Sequence, residues 1–135
     1  MQIDIGFDKV DKILHVADIH IRNFKRHKEY RQVFRKLYKE AKLLPKNSLI
    51  YVAGDIVHTK TDISPELVEL TSEFFRKLAD IRPTIVITGN HDANLNNSSR
   101  LDALSPIIDN LAHSNLHYLK NSGIYRVSNI DFIVM

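Results

Sequence analysis

Six polar residues stand in three short groups along the chain: Asp18 and His20, then Asp55, then Asn90, His91 and Asp92. Carboxylate oxygen, amide oxygen and imidazole nitrogen suit Mn²⁺, Mg²⁺, Fe²⁺ or Zn²⁺ where thiolates are absent, and the chain has no cysteine. Asp18 and His20 are two apart, so from an extended segment both side chains leave on one side and reach one ion. Asp55 follows Gly54, and a carboxylate with two oxygens can bridge two cations about 3.5–4 Å apart, as in two-metal phosphoryl chemistry. Asn90 offers an uncharged carbonyl oxygen. His91, in the same turn, is the candidate proton donor to a leaving oxygen. Alone, Asp-x-His is frequent by chance, and Gly-Asp and Gly-Asn are ordinary turn dipeptides. Three of them, in this order and each directly after an apolar run, describe a metal-dependent site.

The elements that must position these groups alternate. Lys12–Ala17 (KILHVA), Ser48–Ala53 (SLIYVA) and Thr84–Thr88 (TIVIT) are predicted strands. Between the first two, a helix is predicted over His27–Leu44, with Val33, Phe34, Leu37, Tyr38, Ala41 and Leu44 as its buried stripe and Pro45 as its end. Ser64-Pro65 supplies a cap and a first-turn proline for a second helix carrying Leu67, Leu70, Phe74 and Leu78. Gly89–Ser99 reads as a polar loop, and Leu101–Leu111 as helical with a break, a fresh helix starting at Pro106 under a Ser105 cap. Strand and helix in alternation predict right-handed crossovers and an α/β fold with a largely parallel sheet. Ligands bind such sheets at the strands' carboxyl ends, where all three polar groups fall. After residue 114 the pattern changes, and Leu116–Leu119, Ile124–Val127 and Ile130–Val134 are predicted as antiparallel strands.

The bulk properties agree with one folded unit. At 135 residues and 44% hydrophobic content, residues 1–135 form one domain able to bury a core, without internal repeat or linker. No apolar run reaches the roughly 20 residues that span a bilayer. Met1–Val10 is acidic, broken by Gly6, and lacks the features of a secretory signal. The expected location is therefore intracellular: cytoplasm, nucleoid or nucleus. Net charge is +3 with an isoelectric point near 9.2. The basic surplus is local, in Arg22, Lys25, Arg26, Lys28, Arg31, Arg35, Lys36 and Lys39, which read either as a phosphate-facing edge or as a solvated helix face.

The groups Asp18-x-His20, Gly54-Asp55 and Gly89-Asn90-His91-Asp92 resemble the opening motifs of the calcineurin-like metallophosphoesterases, and the likeness covers nearly the whole chain from Lys12 onward. The resemblance implies a partial sandwich of parallel strands with flanking helices followed by antiparallel strands. It also implies two divalent cations, with Asp18 and His20 on one, Asp55 bridging, Asn90 on the other, and His91 as the acid. Within that superfamily, Leu14-His15-Val16-Ala17-Asp18-Ile19-His20 and Gly54-Asp55-Ile56-Val57-His58 look most like the SbcD-type nucleases of double-strand-break repair. That likeness implies a Mn²⁺-dependent exonuclease and endonuclease acting on DNA, with an SbcC-like SMC ATPase as partner and His58 supporting His91. His15 is expected to be packed, and His27, His113 and His117 to lie outside the site. Two other readings stay open: a different calcineurin-like hydrolase, and a noncatalytic assembly module. The family's second half normally brings a further histidine and a Gly-His-x-His segment, and this sequence reaches Met135 before either. The expectation is therefore a fragment or split-gene product, whose open strand edge at Asp131–Met135 and metal shells a second chain or a homodimer could complete.

Overall fold

Apolar runs separated by amphipathic helices return the chain repeatedly to one edge, and a parallel sheet results. The computed structural model describes residues 1–21, 26–54, 56, 64–87 and 104–135. Within them lie β1 (Gln2–Ile3), β2 (Lys12–Ala17), α1 (His27–Lys42), β3 (Ser48–Ala53), α2 (Pro65–Ile81), β4 (Thr84–Ile87), α3 (Ser105–Leu111), β5 (Leu116–Leu119), β6 (Gly123–Val127) and β7 (Ile130–Val134). Strands β2-β3-β4-β5 form one sheet in that order, all parallel. A second sheet has the order β1-β6-β7, with β1 parallel and β7 antiparallel to β6.

The α/β architecture is as predicted, and burial explains why β3 and β4 read as nearly continuous apolar runs: each is covered on both faces. Ile50, Val52 and Val86 face the helices, where they join Phe34 and Phe74 in one core. Leu49 and Ile85, one residue out of phase, join Leu119, Tyr125 and Val127 in a second core between the sheets. On the helix side, the Phe34 and Phe74 rings lie 4.5 Å apart, and Phe74 meets Phe75 edge-on at 5.6 Å. Burying each such side chain is worth about 1.5–3 kcal/mol. The α2 start is as the sequence predicts, since Ser64 Oγ accepts the Leu67 N–H at 3.1 Å and Pro65 opens the helix.

Several expectations are corrected. Val33 does not belong to the buried stripe: it sits about 100° around the helix from Phe34 and is 60% exposed. Helix α1 closes at Lys42, where the Leu43 N–H reaches the carbonyls of Glu40 and Ala41, although Leu44 still packs on the core. The third helix begins at Ser105, with Leu104 in the cap position and no side-chain cap hydrogen bond. Residues 101–103 of the predicted helix, and Thr88 of the predicted strand, lie outside the described residues. Strand β5 is parallel to β4, pairing Thr84 with Leu116 through Ile87 with Leu119, because α3 carries the chain back to the starting edge before it begins. Only β6 and β7 form the expected antiparallel pair. The acidic N-terminus contributes β1, docked on β6 by the Arg126 N–H to the Met1 carbonyl at 2.7 Å and by the Met1 ammonium to the Ile124 carbonyl at 3.0 Å.

The second sheet covers β3, β4 and β5 but leaves β2 open on that side. Ile13 is 45% exposed. His15, expected to be packed, is exposed, and its ring stacks on Tyr51 at 5.0 Å. The outer edge of β7 has no strand partner among the described residues, as anticipated for Asp131–Met135. No described helix is long and apolar enough to cross a membrane.

Candidate metal centre

Parallel register decides where the polar groups go. Ala17 pairs with Ala53, Ala53 with Ile87, and Ile87 with Leu119, so the carboxyl ends of the four strands are level. Asp18 follows β2 directly. After β3 the chain turns at Gly54, buried and with φ 60°, a conformation that glycine adopts without steric cost.

Asp18 and His20 do come together, but not through the pleat of an extended strand. Both residues have left-handed backbone, φ 55° and 51°, which Asp and His tolerate better than most side chains. Oδ1 of Asp18 lies 3.8 Å from Nε2 of His20, with the side chains 75% and 33% exposed. Two donors bound to one cation at about 2.1 Å each lie between about 3.0 Å (cis) and 4.2 Å (trans) apart. One carboxylate and one imidazole at this separation therefore fit a single divalent ion.

Such backbone costs on the order of 1–3 kcal/mol per residue and persists only where its surroundings determine it. Three contacts do so. Ile19, between the two donors, packs against the helix-side core. The Tyr30 hydroxyl, from the first turn of α1, donates to the His20 carbonyl at 2.7 Å. The Ile21 N–H donates to the Ile56 carbonyl at 2.7 Å, and both isoleucine side chains are fully buried, so the segment after β2 is tied to the segment after β3. Neither Tyr30 nor Ile21 is singled out from sequence, because an apolar or aromatic residue at these positions reads simply as core, and Ile56 stands in the Gly54–His58 segment without a role of its own.

Asp55, His58, Asn90, His91 and Asp92 lie outside the described residues, as do Arg22 and Lys25. Among the described residues no group of three His, Asp or Glu donors could hold an ion, so the described portion of the centre is the Asp18–His20 pair. Two of the remaining histidines stand apart from it, at the other end of the sheet. His113 accepts the Asn115 N–H at Nδ1 (3.0 Å), which leaves the Nε2 proton for Asp80 Oδ1 at 2.7 Å. His117 is half-buried in β5, and burial pushes its imidazole pKa down, with the Asp4 charge opposing. His27 opens α1. Of the predicted basic segment, Lys28, Arg35, Lys36 and Lys39 are exposed on α1, whereas Arg31 pairs with Glu73 at 2.8 Å.

Comparison with known proteins bears on this arrangement. A protein of Acanthamoeba polyphaga mimivirus, called uncharacterized protein R555, is 49% identical over 127 residues, a match that takes in 92% of this chain and 9% of the viral protein. The chain thus spans less than a tenth of that relative's length. The family description that matches is calcineurin-like phosphoesterase, aligned over residues 11–133, from the threshold of β2 to within β7. With level strand ends, a paired carboxylate and imidazole above them, and a match of that extent, the chain belongs to the calcineurin-like phosphoesterases, a family of metal-dependent hydrolases.

Proposed function

We propose that the chain carries the first half of a two-metal centre that hydrolyses DNA phosphodiesters, in the manner of the SbcD-type nucleases. The observation that carries the reading is the placement of Asp18 and His20, 3.8 Å apart, above level strand ends. In the sequence, Asp55 and Asn90 follow the next two strands of the same sheet. Divalent cations, Mn²⁺ in this reading, supply Lewis acidity and lower the pKa of water at neutral pH. The chain's own residues do the rest. By the family likeness Asp18 and His20 would hold one ion, Asp55 would serve both, Asn90 would hold the second, and His91 would deliver a proton to the leaving oxygen with support from His58. Exposed cations on α1, whose first turn touches the His20 carbonyl, favour a polyanionic substrate over a small phosphoester. An SbcC-like SMC ATPase is the proposed partner, and break repair or recombination the proposed process.

The test is Mn²⁺-dependent cleavage of end-labelled duplex and single-stranded DNA by the chain, with Asp18→Asn and Asp55→Asn variants alongside and bis-p-nitrophenyl phosphate as a small substrate. DNA cleavage lost in both variants supports the reading. Turnover of the small diester with DNA untouched replaces DNA by a smaller substrate. Mn²⁺ uptake with no hydrolysis of either points to a fragment whose centre is completed by another chain or to an assembly module.

A further inference from the structure

Five of the six lysines and arginines of helix α1 lie on one side, Lys36 being the exception. Lys28, Arg31, Arg35, Lys39 and Lys42 recur at i, i+3, i+7, i+11 and i+14, and at about 100° per residue they fall within an arc of roughly 80°. Both glutamates of the helix, Glu29 and Glu40, fall outside that arc. The stripe ends in a cleft of about 370 Å³ between the C-terminal turns of α1 and α2, lined by Arg35, Lys39 and Lys42 on one side and Lys77 and Asp80 on the other.

The local acids are already engaged. Glu73 takes Arg31 at 2.8 Å and Lys77 at 3.3 Å, and Asp80 takes the Nε2 proton of His113 at 2.7 Å. Lys77 also lies 5.4 Å from the centre of the ring of Tyr38, which lines the same cleft. Arg35, Lys39 and Lys42 are exposed and make no ion pair among the described residues. Lysines in a last helical turn also complement the helix dipole. That does not account for Arg35 in mid-helix, nor for Lys77 on a helix whose last turn has no basic residue.

The helix joins this cleft to the metal centre. Tyr30, on the His20 carbonyl, and Lys42 are 12 positions apart, about 18 Å along the axis at about 1.5 Å per residue. At one phosphate per about 3.4 Å of each strand, that distance corresponds to about five phosphates.

We propose that Arg35, Lys39 and Lys42, with Lys77, form a second contact for a phosphodiester backbone, from about two to about five nucleotides from the point of hydrolysis. The inference rests on the nucleic-acid reading above and adds a length requirement to it. A strand laid along α1 spans from the metal centre to the cleft, whereas a shorter one reaches only one of them.

The test compares wild type with Arg35→Gln/Lys39→Gln/Lys42→Gln, all at exposed positions, and with a control of equal charge loss elsewhere, Lys9→Gln/Lys12→Gln/Lys46→Gln, also exposed. Binding of fluorescent duplexes of 4 and 20 base pairs is followed by anisotropy across a salt series, with thermal melts confirming that each variant is folded. Three lost phosphate contacts should reduce the slope of log K against log salt by about 2.7 for duplex. The 20-mer should lose most affinity in the stripe variant, the 4-mer, too short to reach from the metal centre to Lys42, should lose less, and the control should keep the wild-type slope. Equal slopes in wild type and stripe variant overturn the proposal, as does an equal loss in the control, which would make net charge the cause. If wild type binds neither duplex, the nucleic-acid reading itself fails, and the proposal with it.

Discussion

Tyr30→Phe isolates one hydrogen bond at the metal centre. The phenolic oxygen is removed while the ring stays, so the tilted contact with Phe34 at 5.9 Å is kept. What is lost is the bond to the His20 carbonyl, 2.7 Å long and partly buried. A bond of this kind is worth about 0.5–1.5 kcal/mol net. Taking about 1 kcal/mol for a chain of 135 residues, the melting midpoint should fall by about 3–5 °C. The same bond helps to hold His20 at φ 51°. If it positions the imidazole, loosening it should weaken Mn²⁺ binding by about fivefold, the equivalent of about 1 kcal/mol. Circular-dichroism melts give the first quantity and titration calorimetry with Mn²⁺ the second. A lower melting point with unchanged Mn²⁺ affinity would refute the positioning argument and leave the bond as a helix anchor. No change in either would show that the bond contributes nothing.

Two further outcomes follow from local geometry. Ser64→Ala removes the acceptor for the Leu67 N–H at a buried cap and should cost about 1 kcal/mol in urea unfolding, whereas Ser64→Asn or Ser64→Asp should recover most of the loss. His117 carries a buried Nε2 without a hydrogen-bond partner among the described residues, and its pKa is lowered from 6.5 chiefly by burial. A depressed histidine pKa means the unfolded chain takes the proton first, so stability is full above about pH 6.5 and falls as pH drops toward the folded value. His117→Leu should flatten that acidic limb and add about 1–3 kcal/mol by removing the unpartnered nitrogen; urea midpoints measured between pH 7 and 5 check both.

Legibility in the sequence followed local signals, so that even the largely exposed β2 and β7 have the predicted bounds. Strands β3 and β4, covered on both faces, are legible nearly to the residue from their apolar runs, and helix α2 is legible at its start from an explicit cap. The direction of β5 was misread, since side-chain alternation is the same in parallel and antiparallel strands, and the 7-residue α3 that reverses the chain is too short to show a clear helical period. Val33 was misassigned because spacings of three and four accommodate a flanking residue as readily as a central one. At the centre, the spacing of Asp18 and His20 was informative while their backbone was not: left-handed φ at both positions arises from ties to Tyr30 and Ile56, which are distant in sequence. The roles assigned to Asp55, His58, Asn90 and His91 fall outside the described residues and stand as proposals.

The level ends of β2, β3 and β4 restrict how a chain of this kind can change length over time. One residue inserted within β3 would push everything after it about 3.3 Å along the sheet and turn each following side chain to the opposite face. Ile50 and Val52 would exchange cores with Leu49 and Tyr51, and Gly54 would leave the height shared with Asp18. The same residue inserted beyond Leu43, between α1 and β3, lengthens a connection that already lies outside the ladder, at little cost in closure entropy. Descendants of one ancestor should therefore differ freely in the span between strands while the strands keep their lengths, so that gaps in an alignment map the scaffold as clearly as the matched letters do.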